Sequence, residues 1–411
     1  MYHSFKLKSH PNKLLKDHLV NVANLSKEII ETKSIQNKEI FTEIAYLIGI
    51  THDFGKSTTY FQNWLEKEVK SQKAWHGFIS SLFGYLVVKK FLSSIHRIDE
   101  FWYLPGIVWV VINKHHGNLK NILNKEAEKL RDPEWLELAE EQLQDIFLNN
   151  LTELEETYKV LNGSDISQIL NEIKDLTSLT RNIYKDIKKI CTNSFIDESV
   201  KYYFLILFFY SILLDADKLD ASETPIPKRV EILEKDLVDQ YKSVKFKDHK
   251  KIDQIREMAY QEVNSQLPDI NLENDRILSI NLPTGVGKTL TSFSFALGLQ
   301  DKVQKEKGFN PKIIYSLPFL SIIDQNSSVI SEILAGKDGK GWKKLSKMDK
   351  DEKEKYIEEN IPSNLLLKHH HLIDIKYREE KDNELNVIED VNKSLILTES
   401  WHSEVVVTTF I

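Results

Sequence analysis

The feature that most constrains this chain is a change of hydrophobic pattern near residue 225. Before it, apolar residues come in long blocks such as "FISSLFGYLVVKKFL", "LPGIVWVVINK" and "YYFLILFFYSILL". These lack the alternation of half-buried strands and read as helices, the last as a buried core helix too short to span a bilayer. After it, short β-branched runs appear, "RILSINL", "KIIYSLP" and "EVVVTTF", separated by loops and helical stretches. Strands of that kind alternating with helices predict a parallel sheet. A chain of 411 residues has room for both parts. The expected organisation is an all-α domain over 1–222, a linker over 223–250 and an α/β domain over 251–411. The stretch "SETPIPKRVEILEKDLVDQYKSVKFKDHKK", with two prolines and a charge run, marks the boundary.

Within the helical part, residues 120–201 turn charged and are expected as peripheral helices. Asp132 and Pro133 are expected as N-cap and first residue of one of them. "GWKKLSKMDKDEKEKYIEEN" is expected as a solvated helical excursion.

Histidines and two aspartates cluster at the ends of the apolar blocks: His18 in "DHLVNVANL", His52-Asp53 closing "AYLIGITHDFGK", His76 in "WHGFISS", His115-His116 in "NKHHG", and Asp217 in "LLDADKLDAS". The single cysteine, Cys191, excludes a multi-thiolate zinc site, an iron–sulfur cluster and an internal disulfide framework. Imidazole and carboxylate donors suit Mn, Fe, Co, Ni or Zn, and Mg less well. A carboxylate can bridge two ions, so Asp53 is the natural shared ligand of a two-metal centre that cleaves phosphodiesters, with Lys56 close enough to hold a phosphate. Net charge is −7, so contact with nucleic acid requires a locally basic surface.

The order H…HD…H…HH…D in a helical domain resembles the HD phosphohydrolase superfamily. "THDFGKSTTYFQNWL", "WHGFISS" and "HHG" are similar to its branch in the nuclease–helicases of type I CRISPR interference systems. That resemblance implies one metal on His18, His52, Asp53 and Asp217, and a second on Asp53, His76, His115 and His116. His52, Asp53 and Lys56 would be catalytic. Asp215 stands as the alternative to Asp217, and the remaining acids of that stretch are expected at a solvated helix end.

"ILSINLPTGVGKTLTSF" is a second motif, a phosphate loop running from a strand into a helix. Leu282 stands where the strict pattern has Gly, but superfamily 2 helicases share the run Thr284, Gly285, Gly287, Lys288, Thr289. By that resemblance these residues hold ATP and Mg, "IIYSLPFLSIIDQ" is the second helicase motif, and "VVVTTF" is the Thr-containing DNA-contact motif. No Asp-Glu box follows that last motif, so an incomplete first RecA-like domain is expected. "FIDES" and "VIEDV" contain acidic pairs in the wrong context. His369, His370 and His371 are expected to be structural or DNA-facing. Trp64 and Trp75 could stack bases, with burial in the core as the stronger expectation.

The resemblance implies a metal-dependent nuclease acting on single-stranded DNA, coupled in the full-length family to an ATP-dependent 3′–5′ helicase, with an RNA-guided surveillance complex as partner; a cytoplasmic location and no membrane contact are expected. An HD-type nucleotidase or phosphodiesterase with a regulatory phosphate loop, and a catalytically idle DNA-binding fragment, are the alternatives.

Overall fold

A computed structural model describes residues 5–69, 71–162, 166–192, 196–226, 229, 233–246, 251–337, 341–369 and 398–409. The chain divides into two compact units, Met1–Ile226 and Pro227–Ile411.

The first unit is helical. A short antiparallel pair, β1 (Lys8–His10) and β2 (Lys13–Leu14), leads into α1 (Leu15–Glu31) and α2 (Lys38–Thr51). Then come α3 (Thr59–Lys67), α4 (Gly77–Ser94), α5 (Leu104–Lys114), α6 (Pro133–Asn149), α7 (Leu151–Asn162), α8 (Ile166–Ile173), α9 (Leu176–Thr192) and α10 (Ile196–Ala221). Helices α4 and α5 match two of the apolar blocks and are buried nearly all round, as a helix without a polar face must be. They pack on each other, α1 packs on α2, and α10 packs on α1 and α5. Asp132 caps α6 by accepting from Glu134 N–H at 3.0 Å, with Pro133 in the first turn, as its sequence indicates.

Two expectations for this unit are corrected. The helices of 120–201 are not peripheral: Ile146, Leu154, Tyr158, Leu170 and Ile183 are fully buried in the same core. Their amphipathic pattern gives each one an inward stripe. Helix α10 is not wholly buried either. Tyr202, Ile206, Phe209 and Leu213 face the core, whereas Tyr203 and Phe204 are exposed. Its apolar run covers both faces, and among the described residues only one is buried in the core.

The second unit comprises α11 (Leu237–Lys245), α12 (Lys251–Ser265), α13 (Lys288–Lys307), β3 (Ile313–Leu317), α14 (Leu320–Ala335), α15 (Gly341–Leu345), α16 (Lys350–Asn360), β4 (Leu366–His369) and β5 (Val405–Thr409). The three strands form a parallel sheet in the order β3-β5-β4, with Ile313 opposite Val405 and Leu366 opposite the same Val405. Val405, Val406 and Val407 are fully buried at its centre. Part of the expected linker belongs to this core, since Leu233, Leu237, Val238 and Tyr241 are buried in it. Likewise Trp342 and Leu345 pack inward, so the expected excursion is solvated only in part: Lys343, Lys344, Ser346 and Lys347 are exposed and α16 has no buried residue.

The segment 276–282 is not a strand. It pairs with none of the described strands, and Ile277 is 94% exposed. Its β-branched pattern predicts a strand, but a strand exists only where a neighbour accepts its ladder bonds. Strand β4, conversely, lies in a stretch singled out for its histidines. His369 accepts from Trp401 Nε1–H at 3.1 Å; His370 and His371 lie outside the described residues, as does "VIEDV".

Candidate metal centre

Helix ends build the site. α2 stops at Thr51, and His52 and Asp53 follow at once. His76 sits at the start of α4, His115 and His116 at the end of α5, His18 in the first turn of α1, and Asp217 in the last turn of α10. Gly55 brings the Asp53 segment against α4. A Cβ at Gly55 would lie 2.5 Å from Ile79 Cγ2 and 2.8 Å from His76 Cβ, so no larger residue fits the same approach. Gly55 N–H also donates to Ser80 Oγ at 2.8 Å.

Every metal-type residue singled out in the sequence meets here, and Asp53 is the hub. Its Oδ1 lies 3.0 Å from His76 Nε2 and 3.3 Å from His115 Nε2. Its Oδ2 lies 3.1 Å from His18 Nε2, 3.4 Å from His52 Nε2 and 2.6 Å from Lys56 Nζ. His116 Nε2 is 2.8 Å from His76 Nε2. Asp217 Oδ1 is 3.3 Å from His18 Nε2 and 3.8 Å from His52 Nε2. The donors thus fall into two groups, Asp53–His76–His115–His116 and His18–His52–Asp53, each compact enough for one ion.

The rings are oriented from behind. His52 Nδ1–H donates to Gly49 O at 2.8 Å and His115 Nδ1–H to Ile112 O at 2.6 Å. A carbonyl only accepts, so Nδ1 carries a proton and Nε2 is the atom turned inward, where it can offer its lone pair to an ion. His18 Nδ1 lies 2.5 Å from Asp220 Oδ2, and Asp220 in turn accepts from Lys13 Nζ at 2.7 Å and Asn21 Nδ2 at 2.9 Å. Asp220 is buried, not on a solvated helix end, which corrects the expectation for it. Sequence reading missed its role, although its spacing of three from Asp217 places both on one helix face.

Electrostatics and unsatisfied atoms say what the arrangement suits. His52 Nε2, Asp53 Oδ1 and His115 Nε2 are buried without a hydrogen-bond partner. Orphaned polar atoms converging at such depth are costly, and an ion that displaces their protons would satisfy them. Burial opposes the charged forms throughout, yet neighbours overrule it for some. The carboxylates of Asp217, Asp220 and Asp53 lift His18 to about 10, and Asp53 and Asp217 lift His52 to about 9. His52 and Lys56 hold Asp53 well below the usual carboxylate range. His76 goes the other way, pushed by burial down to about 4. Nitrogen and carboxylate donors with no thiolate fit a divalent transition ion in either group.

The group opens into a cleft of about 1050 Å³. Trp64 and Trp75 line it and are 41% and 54% exposed, which corrects the expectation that they are buried.

The phosphate loop lies in the second unit. Gly285 and Gly287 take φ of 84° and 88°, and Lys288 begins α13. Such a turn aims backbone N–H groups at a common point beside a helix N-terminus, which fits an anion. Lys288 and Thr284 are exposed, and Thr289 Oγ1 donates to Asn326 Oδ1 at 2.8 Å. Arg256, unremarked in the sequence, donates to Gly285 O at 3.0 Å.

Residues 240–399 match the family model described as "Type III restriction enzyme, res subunit", so the second unit carries a helicase-type region. The chain resembles the CRISPR-associated nuclease/helicase Cas3 of Haloferax volcanii, with 28% identity over 137 residues, which is 33% of this chain and 12% of that protein. The crystal structure of T. fusca Cas3 superposes with a TM-score of 0.44 at 12% identity, covering 99% of this chain and 43% of that one. The matches therefore span less than half the length of either relative. No helix among the described residues is long and apolar enough to cross a membrane.

Proposed function

We propose that the first unit is an HD-type, metal-dependent nuclease that cleaves single-stranded DNA, and that the second is part of an ATP-binding RecA-like motor. The observation that carries the reading is Asp53, whose two oxygens face two separate sets of inward-pointing imidazoles. His18, His52, Asp53 and Asp217 would hold one divalent ion, and Asp53, His76, His115 and His116 the other. Mn, Co, Ni or Fe suits these donors, with Mg possible. Ions bound there would supply an activated water and neutralise charge on the scissile phosphate.

The chain's own residues do the rest. The Nδ1–H anchors on Gly49 and Ile112 keep the imidazole lone pairs aimed, and burial keeps bulk water from competing for them. Lys56, buried and paired with Asp53, places a positive charge at the mouth of the group, where it can transfer to a phosphate oxygen. In the second unit Thr284, Gly285, Gly287, Lys288 and Thr289 would take ATP and Mg. By the resemblance to Cas3, the partner is an RNA-guided surveillance complex that presents the displaced DNA strand.

The test is purified protein with Mn²⁺, Co²⁺ or Ni²⁺, offered single-stranded DNA beside nucleoside triphosphates and cyclic nucleotides. Cleavage of the DNA, together with loss of both cleavage and bound metal in Asp53→Ala, is the expected result. Turnover confined to the nucleotides would favour the nucleotidase reading instead.

A further inference from the structure

The cleft beside His76 and His116 has walls rich in aromatic side chains. Trp75 is exposed yet held. Its backbone carbonyl accepts from Gln142 Nε2 at 2.7 Å, and the same amide binds Lys73 O at 2.8 Å, so the whole turn is pinned to α6. Its ring stacks on Trp135 with centroids 5.9 Å apart and planes 27° from parallel. Lys129 Nζ sits 4.6 Å over that second ring. Across the cleft Trp64 is exposed beside Phe61, whose ring meets His76 edge-on at 5.3 Å.

Charge gives these walls a sign. Among the described residues the cleft is lined by Lys56, Lys114 and Lys129 and by no aspartate or glutamate, in a chain whose net charge is −7. Lys114 and Lys129 share one buried carboxylate, Glu126, at 3.1 and 3.3 Å, which leaves the pair net positive. Exposed large aromatics held rigid cost hydrophobic free energy unless something covers them, and the lysines select an anion that also has flat apolar faces. Single-stranded nucleic acid is that occupant: phosphates for the lysines, bases for the indoles. A duplex, with its bases already stacked, offers these walls nothing.

We infer that this cleft is a base-stacking subsite in which Trp75 and Trp64 hold unstacked bases of the strand, adjacent to the His76–His116 end of the metal centre. The inference rests on the nuclease reading for its substrate class, but its test does not. Full-length chain in EDTA is titrated with labelled oligothymidylate and with an abasic strand of equal length, which keeps the phosphates and lacks the bases. Wild type should bind oligothymidylate more tightly. Trp75→Ala should weaken that binding by about 5- to 100-fold, the value of stacking one base, and leave the abasic strand's affinity unchanged. Trp75→Phe should restore most of the loss, and bound Mn²⁺ should be the same in all three proteins. Equal affinity of wild type for the two strands, or an unchanged preference in Trp75→Ala, overturns the inference. Failure of the protein to bind metal or cut DNA, with the Trp75-dependent preference intact, would overturn the nuclease reading and leave the subsite standing.

Discussion

His18 is held between two carboxylates, with Nδ1 2.5 Å from Asp220 and Nε2 3.1 Å from Asp53. A carboxylate behind a ligating histidine fixes which nitrogen carries the proton and which offers its lone pair. Asp220 is itself fixed by Lys13 and Asn21, so the ring has one orientation. Asp220→Asn should therefore lower Mn²⁺ affinity by about 10- to 100-fold. Calorimetric titration measures it, and an unchanged affinity would show that His18 needs no support.

Asp217 and Asp215 should separate in the same assay. Asp217 is the one whose oxygen approaches His18 and His52. Asp217→Ala should cost at least as much affinity as Asp220→Asn, and Asp215→Ala should cost less. The reverse order would move the closing ligand to Asp215.

Acidity should act with opposite signs on the metal-free and loaded protein. Without metal, His18 and His52 titrate near 10 and 9, above the ordinary 6.5. A histidine raised in this way stabilises the fold fully below pH 6.5, and that contribution is lost as pH rises towards 9–10. His76, lowered to about 4, contributes above pH 6.5 and is lost as pH falls towards 4. Metal takes the neutral rings, so its affinity should rise with pH over the range where the free rings still hold protons. The gap in melting temperature between Mn²⁺ and EDTA samples should accordingly widen from pH 6.5 to 9. A constant gap would mean that His18 and His52 are not ligands.

Gly55→Ala should damage one donor group selectively. The added methyl meets Ile79 and His76, so either α4 shifts or His76 does. The cost of such overpacking is about 1–3 kcal/mol. Metal content measured by elemental analysis should fall below that of wild type even where circular dichroism shows the helices intact.

In the second unit, Gly287→Ala should weaken binding of a fluorescent ATP analogue. Open space surrounds this glycine, so sterics do not forbid a side chain; its φ of 88° does. Unaltered nucleotide affinity would remove the phosphate loop from the motor assigned to it.

The candidate metal ligands were legible because they gather at the ends of mostly apolar helices, where a polar side chain has to be explained. Asp220 was not, since a helix end written "LLDADKLDAS" looks the same whether an acid faces water or a histidine. Trp64 and Trp75 misled for a related reason: aromatic residues report an apolar surface without saying what covers it. The run 276–282 reads as a strand on composition, but pairing is a property of its neighbours. Arg256 reaches the phosphate loop from 29 residues upstream, and no local pattern announces it.

His52 and His115 each find their anchor three residues back in the same helix, at Gly49 and Ile112. Their aim is therefore set by local chain geometry and is available as soon as α2 and α5 form, on the fast timescale of helix growth. His18 differs, because its anchor lies 202 residues away and arrives only when α10 docks. Assembly of the two donor groups should then be staggered during folding, with the His76–His115 side able to capture an ion first and the His18 side closing last.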